Sequence, residues 1–297
     1  FMKRELKNLR KRNEKHFLNE DGTIEAILYN DNVHYLKDGV YEEINNTLIE
    51  ENNRYHIVGN AFNLSFSKQN DENLLEFIKN GHYFKMSLKD SFKVSNKELK
   101  KDNKIRKKGS ISYNEVFENT DLSYQILPQK VKETIVFKDK NSIKDKIVFD
   151  IKTDLELTLE NNKIVSEDFT ILDSFMIDSN NQINKEIYYI LNKVPNGYEL
   201  ILVLDKVWLE CNDRKYPVYV DPTITTEESN DCQDTFINSK YPNTNYGDSE
   251  ILKTSILTED EICRSLVKFG LPTIATGSNV VNAKLYVHEV DYGYWGQ

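Results

Sequence analysis

Hydrophobic and polar residues alternate along most of this chain with a period of two. Ile24, Ala26 and Leu28 fall on one face of such a segment, and Leu64 and Phe66 repeat the pattern further on. This alternation is typical of β-strands that bury one face, whereas a helix would place its apolar residues three or four positions apart. The sequence therefore predicts an all-β fold.

Glycine-containing turns separate the strand-like segments. They are NEDGT at 19–23, KDG at 37–39, KNG at 79–81 and PNG at 195–197. Glycine adopts positive φ without steric cost, which the tight turns of β-hairpins need. Strand-like segments recur about every 8–12 residues, a spacing that favours antiparallel β-sandwiches over alternating strands and helices.

Residues 1–16 are expected to depart from this pattern. Leu6 and Leu9 share one face of a helix that we predict from Glu5 to His16. The sequence therefore predicts a short N-terminal helix that leads into the first strand.

A change in composition near residue 222 divides the chain. YPVYVDP at 216–222 ends a strand-like segment with proline, and the TITTEESND that follows is polar and rich in turn-forming residues. We predict a β-sandwich module over 17–222, a linker over 223–233 and a second β-sandwich module over 234–297. Because a β-sandwich usually needs about 100 residues, we expect this second module to be truncated.

Composition and charge narrow the class of partner. The 297 residues include 17 Tyr and 14 Phe, enough bulky side chains for a core, and carry a formal charge of −9. Negative charge disfavours a nucleic-acid partner, because phosphate binding needs clustered positive charge. Two basic segments, 3–15 and 97–108, are interpreted as solvated, with contact to an anionic wall polymer as the alternative.

The sequence predicts no insertion into a membrane. No run approaches the roughly 18 consecutive apolar residues of a membrane span. The opening segment FMKRELKNLRKRNEKHF also lacks the apolar stretch of a signal peptide. We expect any export signal to lie outside this chain.

Short catalytic motifs are absent from the sequence. It contains no HExxH, GxSxG or phosphate-binding glycine loop, and its three cysteines lack CxxC spacing. We therefore predict no catalytic residues and no enzyme activity. The one acidic pair considered for glycoside hydrolysis is Asp121 and Glu133. Alternatively, Asp121 caps a turn while Glu133 pairs with Lys130 or Lys132 on an exposed face.

Two groups of oxygen-bearing side chains are candidate calcium ligands. Asp178 and Asn180 alternate as in calcium loops, although the glycine and terminal glutamate of such loops are missing. Asp231 and Asp234 lie at the start of the second module, where a calcium ion would clamp the linker. Calcium is the only cofactor that the sequence suggests.

Aromatic residues near the C-terminus are candidates for carbohydrate binding. Tyr292, Tyr294 and Trp295 could stack on sugar rings, whose C–H faces pack well on aromatic planes. The alternative is that these side chains form the core of the incomplete module.

Three stretches of the first module resemble a known family. ELKNLRKRNEKHFLNEDGTIEAILYNDNVHYLKDGVYEEINNTL at 5–48, YNEVFENTDLSYQILPQKVKETIVF at 113–137 and KYPVYVDPTI at 215–224 are similar to the N-terminal region of Gram-positive wall-associated RHS/YD-repeat proteins. The resemblance implies a β-rich region, with a repeat shell and a variable C-terminal toxin often following downstream.

Two ordered motifs of the second module resemble the beginning of a DNRLRE domain. They are DTFINSKYPNTNYGDSEILKT at 234–254 and RSLVKFGLPTIATGSNVVNAKLYV at 264–287. The DNRLRE domain is a β-sandwich grouped with carbohydrate-binding modules, so the resemblance implies the same fold and a link to polysaccharide.

Together these patterns lead to one main functional hypothesis. We expect a non-catalytic attachment region of a large secreted or cell-surface protein of a Gram-positive bacterium, which displays, packages or delivers downstream parts of the same polypeptide. A glycan-binding module in its own right and a polysaccharide-degrading enzyme are the alternatives. Cell-wall or surface polysaccharide is the expected external partner.

Overall fold

The structure is a computed structural model that describes residues 3–70, 73–101, 109–226, 233–247, 252–258, 260–271, 274 and 276–286, with side chains for all of these except 96–101 and 257. The chain divides into two compact units, Phe1–Gln233 and Asp234–Gln297. No helix within the described ranges is long and apolar enough to cross a membrane.

The strands described in the first unit are β1 (Arg4–Glu5), β2 (Glu14–Leu18), β3 (Ile24–Leu28), β4 (His34–Lys37), β5 (Val40–Glu43), β6 (Asn45–Glu51), β7 (Arg54–Gly59), β8 (Asn63–Ser67), β9 (Leu75–Lys79), β10 (His82–Leu88), β11 (Asn96–Lys101), β12 (Gly109–Phe117), β13 (Thr120–Ile126), β14 (Lys130–Phe137), β15 (Lys146–Thr153), β16 (Thr158–Glu160), β17 (Lys163–Val165), β18 (Thr170–Ile171), β19 (Met176–Asp178), β20 (Ile183–Asn184), β21 (Tyr188–Val194), β22 (Gly197–Val203), β23 (Val218–Val220) and β24 (Thr223–Thr225). The strands that follow are β25 (Gln233–Asn238), β26 (Ser255–Thr258) and β27 (Glu261–Lys268). The described helices are α1 (Lys206–Glu210) and the 3-10 turns Lys7–Leu9 and Lys140–Ser142.

Two large antiparallel sheets form the body of the first unit. The order of one is β21-β22-β15-β10-β9-β8-β7-β6, and the main order of the other is β11-β12-β13-β14-β24-β18-β17-β16. Strands β19, β20 and β23 join the second sheet beside β14. A small sheet, β1-β2-β3, and the hairpin β4-β5 precede them in the chain. The predicted all-β class is confirmed.

Side chains from the two large sheets pack face to face. Phe66 on β8 and Tyr124 on β13 have ring centroids 5.1 Å apart, and Phe84 on β10 meets Phe169 at 4.5 Å. The Tyr113 hydroxyl on β12 donates a hydrogen bond to the carbonyl oxygen of Ser67. The core of this unit therefore lies between two sheets, as in a β-sandwich.

Strand β24 extends the first unit beyond the predicted boundary at residue 222. Thr223–Thr225 pairs with β14 on one side and with β18 on the other. Proline at 222 lacks an N–H donor, but its carbonyl oxygen still accepts a hydrogen bond from the Glu133 N–H at 3.0 Å. The pairing therefore resumes after the proline, and 223–225 is sheet where the sequence predicted linker.

The predicted N-terminal helix is wrong. Residues 5–16 instead contain the end of β1, one 3-10 turn and the start of β2. Arg10 donates to both carboxylate oxygens of Glu5, at 2.7 and 2.9 Å, and to the carbonyl oxygen of Tyr41 at 3.2 Å. In a helix, residues five apart would point about 140° away from each other. These tertiary contacts outweigh the weak pattern set by Leu6 and Leu9.

The four predicted glycine turns are confirmed. Gly22, Gly39, Gly81 and Gly197 have φ values of 82°, 80°, 90° and 141°. At Gly197 a Cβ atom would also lie 2.0 Å from the carbonyl oxygen of Ile151. Only glycine fits this position, because both the dihedral angle and the neighbouring backbone exclude a side chain.

The pairing of β24 predicts where the first unit can be truncated. A chain ending at residue 226 should unfold cooperatively, whereas a chain ending at 222 should lose most of its stability. The shorter chain lacks a central strand and Ile224, which is 2% exposed. Removing one such side chain typically costs about 2–5 kcal/mol, against about 5–15 kcal/mol for a whole domain. Thermal unfolding followed by circular dichroism would compare the two, and equal midpoints would contradict this assignment.

Candidate functional site

Several predicted site residues lie outside the described part of the chain. They are Tyr292, Tyr294 and Trp295, the candidate carbohydrate platform, and Asp231, a candidate calcium ligand. Asp234 is described and is exposed near the start of β25. Carbohydrate binding by the three aromatics and calcium binding at Asp231 and Asp234 therefore stay predictions.

An exposed aromatic ring lies in the second unit, immediately after β25. Tyr241 is 50% exposed, and the Lys240 ammonium group is 5.7 Å from the centroid of its ring. Lys240 also pairs with the Glu261 carboxylate at 3.2 Å, and Glu261 accepts a hydrogen bond from the Asn238 side chain at 3.1 Å. We call Asn238, Lys240, Tyr241 and Glu261 the Tyr241 cluster.

The turn that presents this cluster is fixed by local hydrogen bonds. The Asn238 side-chain oxygen accepts from the Lys240 N–H at 2.9 Å, and the Asn238 carbonyl accepts from the Tyr241 N–H at 3.1 Å. Ser239 joins the turn to β27, because its hydroxyl accepts from the Ile262 N–H at 2.8 Å. Asparagine and serine favour such turns, since their side chains replace backbone partners.

A buried stack holds the following loop. The rings of Phe236 and Tyr246 are stacked with centroids 4.1 Å apart and an angle of 25° between their planes, and Phe236 is only 3% exposed. Tyr246 therefore anchors the loop, whereas half of the Tyr241 side chain is exposed to solvent.

The Tyr241 cluster contains two charged groups, the Glu261 carboxylate and the Lys240 ammonium, that can form hydrogen bonds with a ligand. Hydrogen bonds from Asn238 and then from Lys240 lower the pKa of Glu261, while the bond to Glu261 raises the pKa of Lys240. The carboxylate and the ammonium are therefore both ionised at neutral pH. A flat aromatic ring beside an ionised acceptor and donor can pack against a sugar ring and bind its hydroxyl groups.

Asp178 holds a loop of the first unit together. One carboxylate oxygen accepts from the N–H groups of Asn180 and Gln182, both at 2.9 Å, and the other pairs with Arg214 at 2.8 Å. Burial would raise the pKa of Asp178, but these hydrogen bonds hold it below its usual value. Calcium binding by Asp178 and Asn180 stays a prediction that these contacts do not favour, because protein donors already surround the carboxylate.

Asp121 and Glu133 lie on opposite faces of the same sheet. Asp121 faces outwards, accepts from the Glu115 N–H at 2.8 Å and pairs with Lys138 at 2.7 Å. Glu133 faces the core and is 1% exposed. The structure therefore excludes them as an acidic pair flanking one bond. It also contradicts the alternative in which Glu133 pairs with a lysine on an exposed face.

The Glu133 carboxyl group is buried without a hydrogen-bond partner of ordinary geometry. Burial is the main cause that raises its pKa to about 8, with the Tyr124 hydroxyl opposing the shift and Asp221 adding to it. The group is therefore mostly protonated at neutral pH. The sequence carried a signal for this burial, because the period-two alternation of β14 puts Glu133 on the same face as Val131 and Ile135.

The sequence alone does not identify the Tyr241 cluster as a site. Its members span residues 238–261, and only the pairing of β25 with β27 brings Glu261 beside Lys240. The one signal was Tyr241 itself, a large aromatic residue directly before a proline in a turn.

Comparison with known proteins gives one family match and several relatives. Residues 225–295 match the model of carbohydrate-binding module family 96. The chain is 30% identical to tRNA nuclease WapA of Bacillus subtilis (strain 168) over 82% of this chain and 11% of that protein. It is 31% identical, over the same shares, to tRNA(Glu)-specific nuclease WapA of Bacillus subtilis subsp. natto. No solved structure matches.

These matches support a carbohydrate-binding module in the C-terminal part of the chain. The chain spans about one ninth of the length of the curated relatives it matches. The resemblance to RHS/YD-repeat proteins and to the DNRLRE domain stays a prediction.

The relatives overturn the prediction that this chain is not an enzyme. They are named as tRNA nucleases, and they align with most of the chain. The prediction rested on missing short motifs. General acid and base residues can converge from distant parts of a sequence, so missing motifs were too weak an argument. The expectation that the chain has no nucleic-acid partner stays a prediction.

The buried Glu133 predicts a pH-dependent stability. Its pKa is about 8 in the folded chain and about 4.3 in an unfolded one, so folding takes up a proton between these values. The free energy of unfolding should therefore fall as pH rises from about 4.3 to about 8, by at most about 1.4 kcal/mol per pH unit from this group.

Glu133→Gln should remove that part of the pH dependence and be more stable than the parent chain at pH 9. Urea unfolding at pH 6, 7.5 and 9 would measure it, with Glu118→Gln, an exposed glutamate in the turn between β12 and β13, as the control. Parallel pH profiles for the parent chain and Glu133→Gln would show that Glu133 does not titrate in this way.

Proposed function

We propose that this chain attaches its protein to a cell-surface polysaccharide through the second unit. The observation that carries the proposal is the match of residues 225–295 to a carbohydrate-binding module family. Within the described part of that range, the Tyr241 cluster offers an aromatic ring with ionised neighbours. The aromatic ring and its ionised neighbours suit a sugar, which presents a C–H face for packing and hydroxyl groups for hydrogen bonding.

The Tyr241 ring would contact one face of a sugar unit. Glu261 would then bind hydroxyl groups at its edge, and Lys240 would favour a polymer that carries negative charge. The chain as a whole has a charge of −9, so we expect this contact to be local and not a general attraction to anions.

The first unit would serve as a rigid framework that precedes the attachment unit in the chain. Its body is one core between two sheets, which suits display or delivery of downstream parts. This role agrees with the resemblance to wall-associated RHS/YD-repeat proteins. We accordingly propose a secreted or cell-surface location in a Gram-positive bacterium.

Binding to purified cell-wall polysaccharide tests the attachment proposal. The 297-residue chain should be retained by the polysaccharide. Tyr241→Ala should raise the dissociation constant at least tenfold, which corresponds to a loss of about 1.4 kcal/mol of binding free energy. Isothermal titration with soluble wall fragments would give the constants. Tyr188→Ala is the matched control, because Tyr188 lies in the first unit and is 54% exposed. Equal losses for both variants, or no binding by the parent chain, would contradict the proposal.

A second proposal concerns the activity of the protein as a whole. Because the relatives are named as tRNA nucleases, we propose that the protein cleaves tRNA. The chain spans only 11% of each of the relatives considered, so the proposal applies to the entire protein and leaves the position of the reacting groups open.

Incubation with labelled tRNA tests this second proposal. The full-length protein should produce discrete shortened products, and the 297-residue chain assayed in parallel would show whether these residues suffice. Intact tRNA after incubation with the full-length protein would contradict the proposal, and would leave the polysaccharide result unaffected.

A further inference from the structure

Three candidate metal ligands meet where the N-terminal sheet contacts the β4-β5 hairpin. Glu5 lies on β1, and His34 and Glu43 are directly opposite each other across the hairpin. One ligand atom from each of these side chains lies within 4.8 Å of the other two. Tertiary packing brings Glu5 to the hairpin, because Glu5 and His34 are 29 positions apart in the sequence.

The His34 ring presents an unprotonated nitrogen to the two carboxylates. Its Nδ1 atom is 2.7 Å from the Lys11 carbonyl oxygen, which can only accept, so Nδ1 carries the ring proton. Nε2 therefore has a free lone pair. The side chain is 0% exposed, and Nε2 has no hydrogen-bond partner. The nearest Glu5 oxygen lies 4.0 Å from Nε2, which is too far for a hydrogen bond.

This arrangement is unfavourable unless a cation lies between the two acceptors. A buried nitrogen without a donor normally costs about 1–3 kcal/mol, and the facing carboxylate oxygen supplies no proton. Metal-binding histidines commonly donate their other ring N–H to a backbone carbonyl, as His34 does to Lys11.

Basic side chains hold both carboxylates in place. Arg10 pairs with Glu5, and Lys15 pairs with Glu43. Arg10 is 9% exposed and binds both oxygens of Glu5, which leaves each oxygen a further lone pair. Arg10 therefore orients Glu5 without occupying all of its acceptor capacity.

We propose that Glu5, His34 and Glu43 bind a divalent transition-metal ion. One imidazole and two carboxylates form a ligand set that suits Zn²⁺ or Mn²⁺. Ligand atoms around such an ion lie about 2.0–2.2 Å from it, so the three side chains must move inwards by a small distance.

Lys15 would compete with the metal ion for the Glu43 carboxylate. Its ammonium group contacts a Glu43 oxygen, and its side chain is 20% exposed beside solvent. A long, flexible lysine can turn outwards when the ion enters, whereas Arg10, which also pairs with that Glu43 oxygen at 3.5 Å, stays fixed by Glu5 and the Tyr41 carbonyl. The retained charge of Arg10 limits the affinity of the site, because it repels the ion.

The bound ion would join the N-terminal sheet to the β4-β5 hairpin. An ion that binds the folded chain and not the unfolded chain raises the stability of the fold by mass action. The ion would thus replace the Lys15–Glu43 pair with a stronger link between two segments that are distant in sequence.

Titration of the full chain with ZnCl₂, and separately with MnCl₂, tests the proposal by calorimetry and by thermal unfolding. At least one ion should bind one-to-one and raise the melting temperature. Glu43→Gln should weaken that binding at least tenfold, and Lys15→Met should strengthen it severalfold by removing the competing cation. Glu42→Gln is the matched control, because Glu42 lies next to Glu43 on β5 but pairs with Lys37.

Far-UV circular dichroism would show that each variant folds, and His34→Gln provides a second ligand variant. Unchanged affinity in Glu43→Gln would place the ion elsewhere in the chain and overturn the proposal. No binding by the parent chain would also overturn it, even if Lys15→Met bound the ion, because the proposal requires the ion to displace Lys15.

Discussion

The pairing of β14 on both of its edges is the constraint on which the first unit depends. One edge of this strand pairs with β13 along its whole length. The other edge pairs with β23 at one end of the strand and with β24 at the other end. Both of these strands lie more than 80 residues further along the chain. Val131, Ile135 and Phe137 on its inner face are fully buried. Any change that detaches β23 or β24 therefore exposes both the centre of a sheet and the core beneath it.

The sequence allowed the fold class and the turns to be predicted, because alternation and glycine position are local signals. It did not allow the N-terminal segment or the linker boundary to be predicted. Arg10 takes its partners from Glu5 and Tyr41, and Pro222 loses only its own donor while its carbonyl continues the pairing. Both errors arose where contacts between distant residues outweigh local preference.

The candidate sites were harder to predict than the fold for the same reason. Glu261 reaches Lys240 only through the pairing of β25 with β27, and Glu5 reaches His34 only when the small sheet meets the hairpin. Asp178 shows the reverse case, since its oxygen-rich sequence suggested calcium while Arg214 and backbone N–H groups surround it. Residue types along a strand or loop indicate what chemistry is available, and the tertiary pairing decides which groups meet.

Hydrogen exchange of backbone amides tests the central role of β14 most directly. The amides of β14 that bond to β23 and β24 should be among the slowest to exchange, and the amides of β24 should exchange with them as one cooperative unit. The Glu133 N–H, bonded to the Pro222 carbonyl at 3.0 Å, should belong to the same group. Rapid exchange throughout β24, with β14 still protected, would show that residues 223–225 behave as a linker and would contradict this account.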